Sequence, residues 1–179
     1  QALTPDDLAH VESCIRVVED WPAPGVSFKD LSGVLADGRA FAIIVDDLVA
    51  TVADEHIDSV VGIEARGFPY GAALAHRLQA GFITLRKPGK LPGPVLAREY
   101  ELEYGSATLE LHVDAVGDGH RVVIVDDVLA TGGTAEAAVR LVEEAGGVVV
   151  AVLVVMDLAF LGGSARLAEA GVRVHALLS

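Results

Sequence analysis

A doubly wound α/β fold, with a mainly parallel sheet flanked by helices, is what this 179-residue sequence predicts, and three observations predict it. Residues 122–125 read Val-Val-Ile-Val, four β-branched side chains in a row. Such a run marks a strand buried on both faces, as in parallel sheets. Residues 148–156 form a second, longer apolar run. Around both, strand-like and helix-like patterns alternate, which is the order of βαβ units. No repeat or internal linker interrupts the chain, so a single domain over residues 1–179 is expected, with a small hood from elements at about 1–35 and 86–112.

In chain order, Thr4-Pro5-Asp6-Asp7 is a helix start: a capping Thr, Pro in the first turn, and acids placed well for the dipole. Leu8, Val11, Ile15 and Val18 then make one apolar stripe, so the helix is expected to run until the turn at residues 21–25, Trp-Pro-Ala-Pro-Gly. Cys14 falls on that apolar face, a packing position. Residues 24–30 read as a loop leading into a short extended piece. Asp37 is the expected cap of a second helix, with Phe41, Ile44, Val45, Leu48 and Val52 inward. Residues 58–63 form a strand, and a helix rich in small residues follows it. Residues 81–85 form a short strand. With three prolines and two glycines in nine residues, 86–94 is an exposed loop. Residues 99–112 alternate in strand fashion around the hairpin signal Gly105-Ser106. Asp118-Gly119 turns the chain into the central strand at 122. The helix after residue 134 faces Ala138, Leu141, Val142 and Ala145 inward and ends at Gly146-Gly147. Asp157-Leu158-Ala159-Phe160 starts the final helix, and residues 172–177 close the sheet.

Composition narrows the function. Net charge is −13, from 13 Lys+Arg against 26 Asp+Glu, which argues against broad binding to nucleic acid or anionic membranes. Yet residues 66–98 hold no carboxylate at all, while Arg66, Arg77, Arg86, Lys87, Lys90 and Arg98 all fall there. The reading is either a basic surface patch or subunit contact, or an anion-binding region of the kind a polyphosphate requires. No apolar run reaches the length of a membrane span, and no signal-peptide pattern opens the sequence. One cysteine excludes an internal disulfide and fits a reducing compartment, so a cytoplasmic location is expected.

The chemistry concentrates at residues 122–134. A buried strand ends in Asp126 and Asp127, then Thr131, Gly132, Gly133 and Thr134 lead into a helix. Glycines let backbone N–H groups wrap an anion, and the helix N-terminus adds partial positive charge. Carboxylates do not suit a phosphate; they suit hydroxyl groups or a hard cation such as Mg²⁺. A ribose 5-phosphate satisfies both halves. The plainer alternative is an ordinary βα turn. Other phosphate loops fit worse, since no Gly-Lys-Ser/Thr ending and no G-x-G-x-x-G is present.

This stretch resembles the ribose-phosphate loop of type I phosphoribosyltransferases. The resemblance implies that Ala130, Thr131, Gly132, Gly133 and Thr134 hold the 5-phosphate of phosphoribosyl pyrophosphate, with Asp126 and Asp127 facing the ribose hydroxyls. Further motifs follow in the expected order over roughly residues 21–160. Pro24-Gly25-Val26-Ser27-Phe28-Lys29-Asp30 is similar to the signature of the adenine-using members, where the Phe stacks on the purine; it implies adenine contacts from Ser27, Phe28 and Lys29. Many relatives have Arg where this chain has Lys29. Gly62-Ile63-Glu64-Ala65-Arg66-Gly67-Phe68 resembles the pyrophosphate loop, in which the peptide matching Glu64–Ala65 is often cis. Arg86, Lys87 and Lys90 match the basic residues beside the pyrophosphate that reach a neighbouring subunit's site, which implies a homodimer. Glu103 and Tyr104 match the hood, with Glu103 meeting the purine's imidazole-ring nitrogen as the catalytic residue. Leu158 matches the second face of the purine sandwich.

The resemblance thus implies transfer of a phosphoribosyl group to adenine, giving AMP and pyrophosphate in purine salvage, with Mg²⁺ carried by the substrate rather than bound directly by the protein. Members acting on 6-oxopurines carry an acid inside the loop; here Val128-Leu129-Ala130 has none. Two alternatives stay open: a sister enzyme for xanthine, hypoxanthine or orotate, and a non-catalytic sensor of phosphoribosyl pyrophosphate. A sensor of the DNA-binding kind needs more than the short acidic segment before Trp21.

Overall fold

The chain divides into two units, residues 1–50 and 51–179, in a computed structural model that describes residues 3–102 and 105–179. In the first unit, α1 (Pro5–Ser13) starts as its sequence dictates. Thr4 accepts from the Asp7 N–H, and the Asp7 side chain reaches back to the Thr4 N–H, a reciprocal cap. The helix is shorter than the stripe implies. It stops at Ser13, and β1 (Arg16–Glu19) pairs antiparallel with β2 (Ser27–Asp30). Ile15 and Val18 therefore leave the helix. They continue a 3.6-residue spacing by accident, and the pairing of Val18 with Phe28 decides the local structure. Cys14 is the C-cap rather than a helix-face residue. The turn between the two strands contains a cis Trp21–Pro22 peptide bond. A one-turn helix, α2 (Ser32–Ala36), which the periodicity does not reveal, precedes α3 (Gly38–Thr51). Asp37 caps α3 as expected, accepting from the Ala40 N–H at 2.8 Å. Ala40, Ile44, Val45 and Leu48 are buried and Phe41 is half-buried.

The second unit is built on five parallel strands. In chain order it contains β3 (Ser59–Ile63), α4 (Phe68–Leu78), β4 (Gly81–Leu85), β5 (Val95–Glu101), β6 (Ser106–His112), β7 (Arg121–Leu129), α5 (Gly133–Glu144), β8 (Val148–Asp157), a 3₁₀ turn (Ala159–Leu161), α6 (Gly163–Glu169) and β9 (Val174–Leu178). The sheet order is β4-β3-β7-β8-β9, with every pairing parallel. Val122, Val123, Ile124 and Val125 are all fully buried, as four consecutive β-branched residues require of a central strand. Val122, Ile124, Val152 and Val154 form one core with Ala138, Leu141 and Val142 of α5 and Leu109 and Leu111 of β6. β5 and β6 make a separate antiparallel hairpin with Glu101 opposite Ser106.

Several boundaries differ from the sequence reading, among them the start of β5 at Val95 rather than 99 and of β9 at Val174 rather than 172, and three lie at the site. β7 does not end at the acids but continues through Val128 to Leu129. α5 begins inside the glycine motif, at Gly133. The final helix starts at Gly163, not at Asp157: Asp157 still belongs to β8, and residues 159–161 make only a single tight turn before Gly162, at φ 78°, redirects the chain.

Candidate active site

β7 delivers the site. In extended backbone, successive side chains point to opposite faces, so Asp126 and Asp127 face different surroundings. Asp127 is buried, with 4% of its surface exposed, and Asp126 is half-buried. Each carboxylate takes the next backbone N–H: Asp127 N donates to Asp126 Oδ1 at 2.9 Å, and Val128 N to Asp127 Oδ1 at 2.8 Å. These bonds give the two N–H groups side-chain acceptors at the strand end. Burial, then the charge of Asp127, push the Asp126 carboxyl well above the ordinary 3.8. Tyr70 of α4 is buried, and burial together with the Asp127 charge raises its phenol, which stays neutral.

The neighbouring strand end meets this pair. Arg66 Nε lies 3.1 Å from Asp127 Oδ2, so the loop after β3 is tied to the end of β7. The Glu64–Ala65 peptide bond is cis, as the resemblance implies. Gly67 makes the approach possible. A Cβ there would stand 2.4 Å from the Val125 carbonyl oxygen and 2.8 Å from that of Ile63. Neither backbone can retreat without distorting β7 or β3. Gly67→Ala is expected to destabilise the fold by about 3 kcal/mol, the upper end of ordinary overpacking, measured as a lower urea midpoint at unchanged m.

Glu64 ties the basic loop to the same corner. Its Oε2 accepts from Lys87 N at 2.7 Å, and Arg86 Nε and Nη2 lie 3.3 and 3.4 Å from its two oxygens. Burial alone would raise the Glu64 carboxyl, but the Lys87 N–H and Arg86 outweigh it and hold it below 4.5. The Arg86 backbone also bridges to Glu110 of β6, and Gly89 N donates to Glu110 Oε2 at 3.2 Å. The loop that bears Lys87 and Lys90 is therefore anchored at its root, while both lysines are exposed.

The glycine loop is held from behind. Gly132 is buried at φ 85°, a conformation other residues resist, and it caps α5. Ala130 and Thr134 are partly buried and Thr131 is exposed. Leu158 N donates to Leu129 O at 2.8 Å, which sets half-buried Leu158 beside the loop's start. The second unit thus brings together Glu64, Ala65, Arg66, Arg86, Lys87, Asp126, Asp127, the loop and Leu158. Ser27, Phe28 and Lys29 lie on β2 of the first unit, with the Phe28 ring 4.5 Å from that of Trp21 in an edge contact. Glu103 and Tyr104 lie outside the described residues. The sequence reading missed Tyr70, Trp21 and Gly163. Trp21 was legible as an aromatic beside the Phe28 segment; the other two carry no local signal.

A parallel sheet whose central strand carries paired acids near its end and leads into a glycine loop, with an arginine drawn in from the loop after the next strand, is an α/β domain with its polar groups gathered at one sheet edge. The chain belongs to the phosphoribosyl transferase domain family, whose profile matches residues 33–165. Its relatives are more specific. A protein from a Bradyrhizobium species, named adenine phosphoribosyltransferase, is 50% identical over 169 residues, covering 94% of each chain. The crystal structure of adenine phosphoribosyltransferase from Rhodothermus marinus superposes with a TM-score of 0.92 at 47% identity, over 98% of this chain and 99% of that one. That of Saccharomyces cerevisiae, solved with an imino-altritol bisphosphate and adenine, gives 0.90 at 35% identity, over 98% and 100%.

Proposed function

We propose that this chain transfers the 5-phosphoribosyl group of phosphoribosyl pyrophosphate to adenine, forming AMP and pyrophosphate in purine salvage. The observation that carries the reading is the corner at the end of β7, where two carboxylates and the amides of Ala130, Thr131, Gly132, Gly133 and Thr134 stand on consecutive backbone. Those amides and the N-terminus of α5 hold the 5-phosphate. Asp126 and Asp127 accept from the ribose hydroxyls and stabilise the positive charge that grows on the sugar as pyrophosphate leaves. The backbone of Glu64 and Ala65, with Arg66, Arg86, Lys87 and Lys90, receives the leaving group. The Glu64 side chain keeps Arg86 and the Lys87 amide in place for that task.

Phe28 stacks on the purine, Leu158 packs on it, and Ser27 and Lys29 read its edge through their main chain. The base is thereby held with its nitrogen aimed at the anomeric carbon. Glu103 holds the proton of the imidazole ring as the new C–N bond forms, and Tyr104 belongs to the same hood. The hood elements, at about residues 1–35 and 86–112, are read as parts of one catalytic domain. The donor set at β7 suits Mg²⁺ that arrives on the substrate. Asp127 is already engaged by Arg66 and the Val128 N–H, so the pair is not a closed all-protein cage. Carried in on the pyrophosphate, Mg²⁺ would offset the charge of its oxygens. A homodimer, in which the basic loop reaches the neighbouring subunit, and a cytoplasmic location complete the reading. No helix among the described residues is long and apolar enough to cross a membrane.

Steady-state assays with adenine, hypoxanthine, xanthine and orotate test the substrate directly. Adenine is expected to give by far the highest kcat/KM, and a preference for any other base overturns the assignment. Phe28→Ala is expected to raise KM for adenine by about tenfold or more through lost stacking, with KM for phosphoribosyl pyrophosphate nearly constant.

A further inference from the structure

We infer that Gly163, the first residue of α6, is a positioning residue for the phosphate-holding loop, setting where the backbone of Ala130 and Gly132 lies. The inference rests on the reading of that loop as a sugar-phosphate cradle. Gly163 N donates to the Ala130 carbonyl oxygen at 3.1 Å. A Cβ on Gly163 would stand 2.4 Å from that same oxygen, 2.9 Å from Gly132 N and 3.1 Å from Leu129 Cγ. The contact is reciprocal. A Cβ on Gly132 would lie 3.0 Å from Gly163 Cα and 3.1 Å from its carbonyl oxygen. Two bare backbones therefore pack face to face, and the one that does not touch substrate sets the position of the one that does.

Gly163 is a sharp probe because its own backbone does not demand glycine. It is Gly162, at φ 78°, that takes the left-handed conformation, and a Cβ there meets nothing within 4 Å. Alanine at Gly163 acts by displacing Ala130 and Gly132, with a slighter push on the Leu129 side chain. α6 cannot simply recoil, because Leu167 is fully buried and Arg166 is paired at 2.5 Å with Glu136 in the first turn of α5. The displacement thus goes into the loop, whose N–H groups must sit within a few tenths of an ångström of their hydrogen-bonding distance to hold a phosphate.

Calorimetric titration with ribose 5-phosphate, which needs no base, reads the loop directly, and steady-state kinetics with each substrate varied in turn reads its effect on turnover. Gly163→Ala is expected to weaken ribose 5-phosphate binding and to raise KM for phosphoribosyl pyrophosphate, each by about tenfold or more, leaving KM for adenine within about threefold. Gly162→Ala introduces backbone strain in the same turn without touching the loop. It is expected to lower Tm and leave ribose 5-phosphate affinity unchanged. Equal losses in the two variants, or full affinity in Gly163→Ala, overturn the inference. A wild-type protein that does not bind ribose 5-phosphate overturns the cradle reading itself, whereas one that binds it but ignores adenine overturns only the choice of base. Should Gly163→Ala not fold, Arg166→Met loosens α6 from Glu136 without adding an atom at the loop. It then carries the same test, with an expected weakening of about threefold and no change in affinity as the contrary result.

Discussion

Glu103→Ala is expected to lose about 10²–10⁴ in turnover with little change in affinity for phosphoribosyl pyrophosphate, the range that one general acid or base contributes. The reason lies in what the rest of the site lacks. Val128, Leu129 and Ala130 put no ionisable group between the acids and the phosphate loop, so nothing there can handle a proton on the base. In the reading proposed above Asp126 and Asp127 serve the sugar, and Asp127 is already tied to Arg66. The resemblance names Glu103 as the candidate acid for the purine ring. Single-turnover measurement at saturating substrates isolates the step, and a rate near that of the wild type removes Glu103 from the mechanism.

Asp126→Asn is expected to move activity and stability in opposite directions. Losing a preorganised charge beside the developing cation costs about 10²–10³ in kcat. Stability is expected to rise at neutral pH. Burial and Asp127 raise the Asp126 carboxyl in the folded protein above its ordinary 3.8. A group raised on folding favours the native state most below its unfolded value, and that advantage disappears as pH climbs through the folded one. At pH 8 the unfolded chain ionises this group freely while the native surroundings resist the charge, and the amide removes that difference. Thermal melts of the two proteins should diverge as pH rises from 4 to 8, with Asp126→Asn the higher at pH 8. Parallel melts at all pH values would show that Asp126 is not held in this way.

Much of the sheet was legible because its strands state themselves locally. Residues 122–125 and 148–156 leave no other use for so many adjacent β-branched side chains, and 81–85 matches β4 to the residue. The placement of the acids and the glycine loop between a buried strand and a helix was legible for the same reason. What stayed hidden depends on partners distant in sequence. β1 was masked by a helical spacing that happens to continue past Ser13, and only its pairing with β2 overrules it. The continuation of β7 through Leu129 depends on its pairing with β8, where Val128 lies opposite Met156 and Leu129 opposite Asp157, which hydrophobic patterning does not register. The late start of α6 hangs on the left-handed Gly162, and Gly163 earns its place only once Ala130 is seen against it. Glu64 was legible as a residue of this loop, but not that its carboxylate pairs with Arg86 and accepts from the backbone N–H of Lys87.

The strand that carries the acids also dictates where the molecule can be handled. β7 runs nine residues from Arg121 to Leu129, about 30 Å at the usual rise per residue, so its first end lies far from the last. At that far rim Asp118 and Gly119 are exposed on a turn, steadied by a 2.8 Å bond from Gly119 N to Gly146 O. A fluorophore or surface tether fixed to Asp118, once replaced by cysteine in a Cys14→Ser background, would leave the opposite mouth of the sheet open to solution.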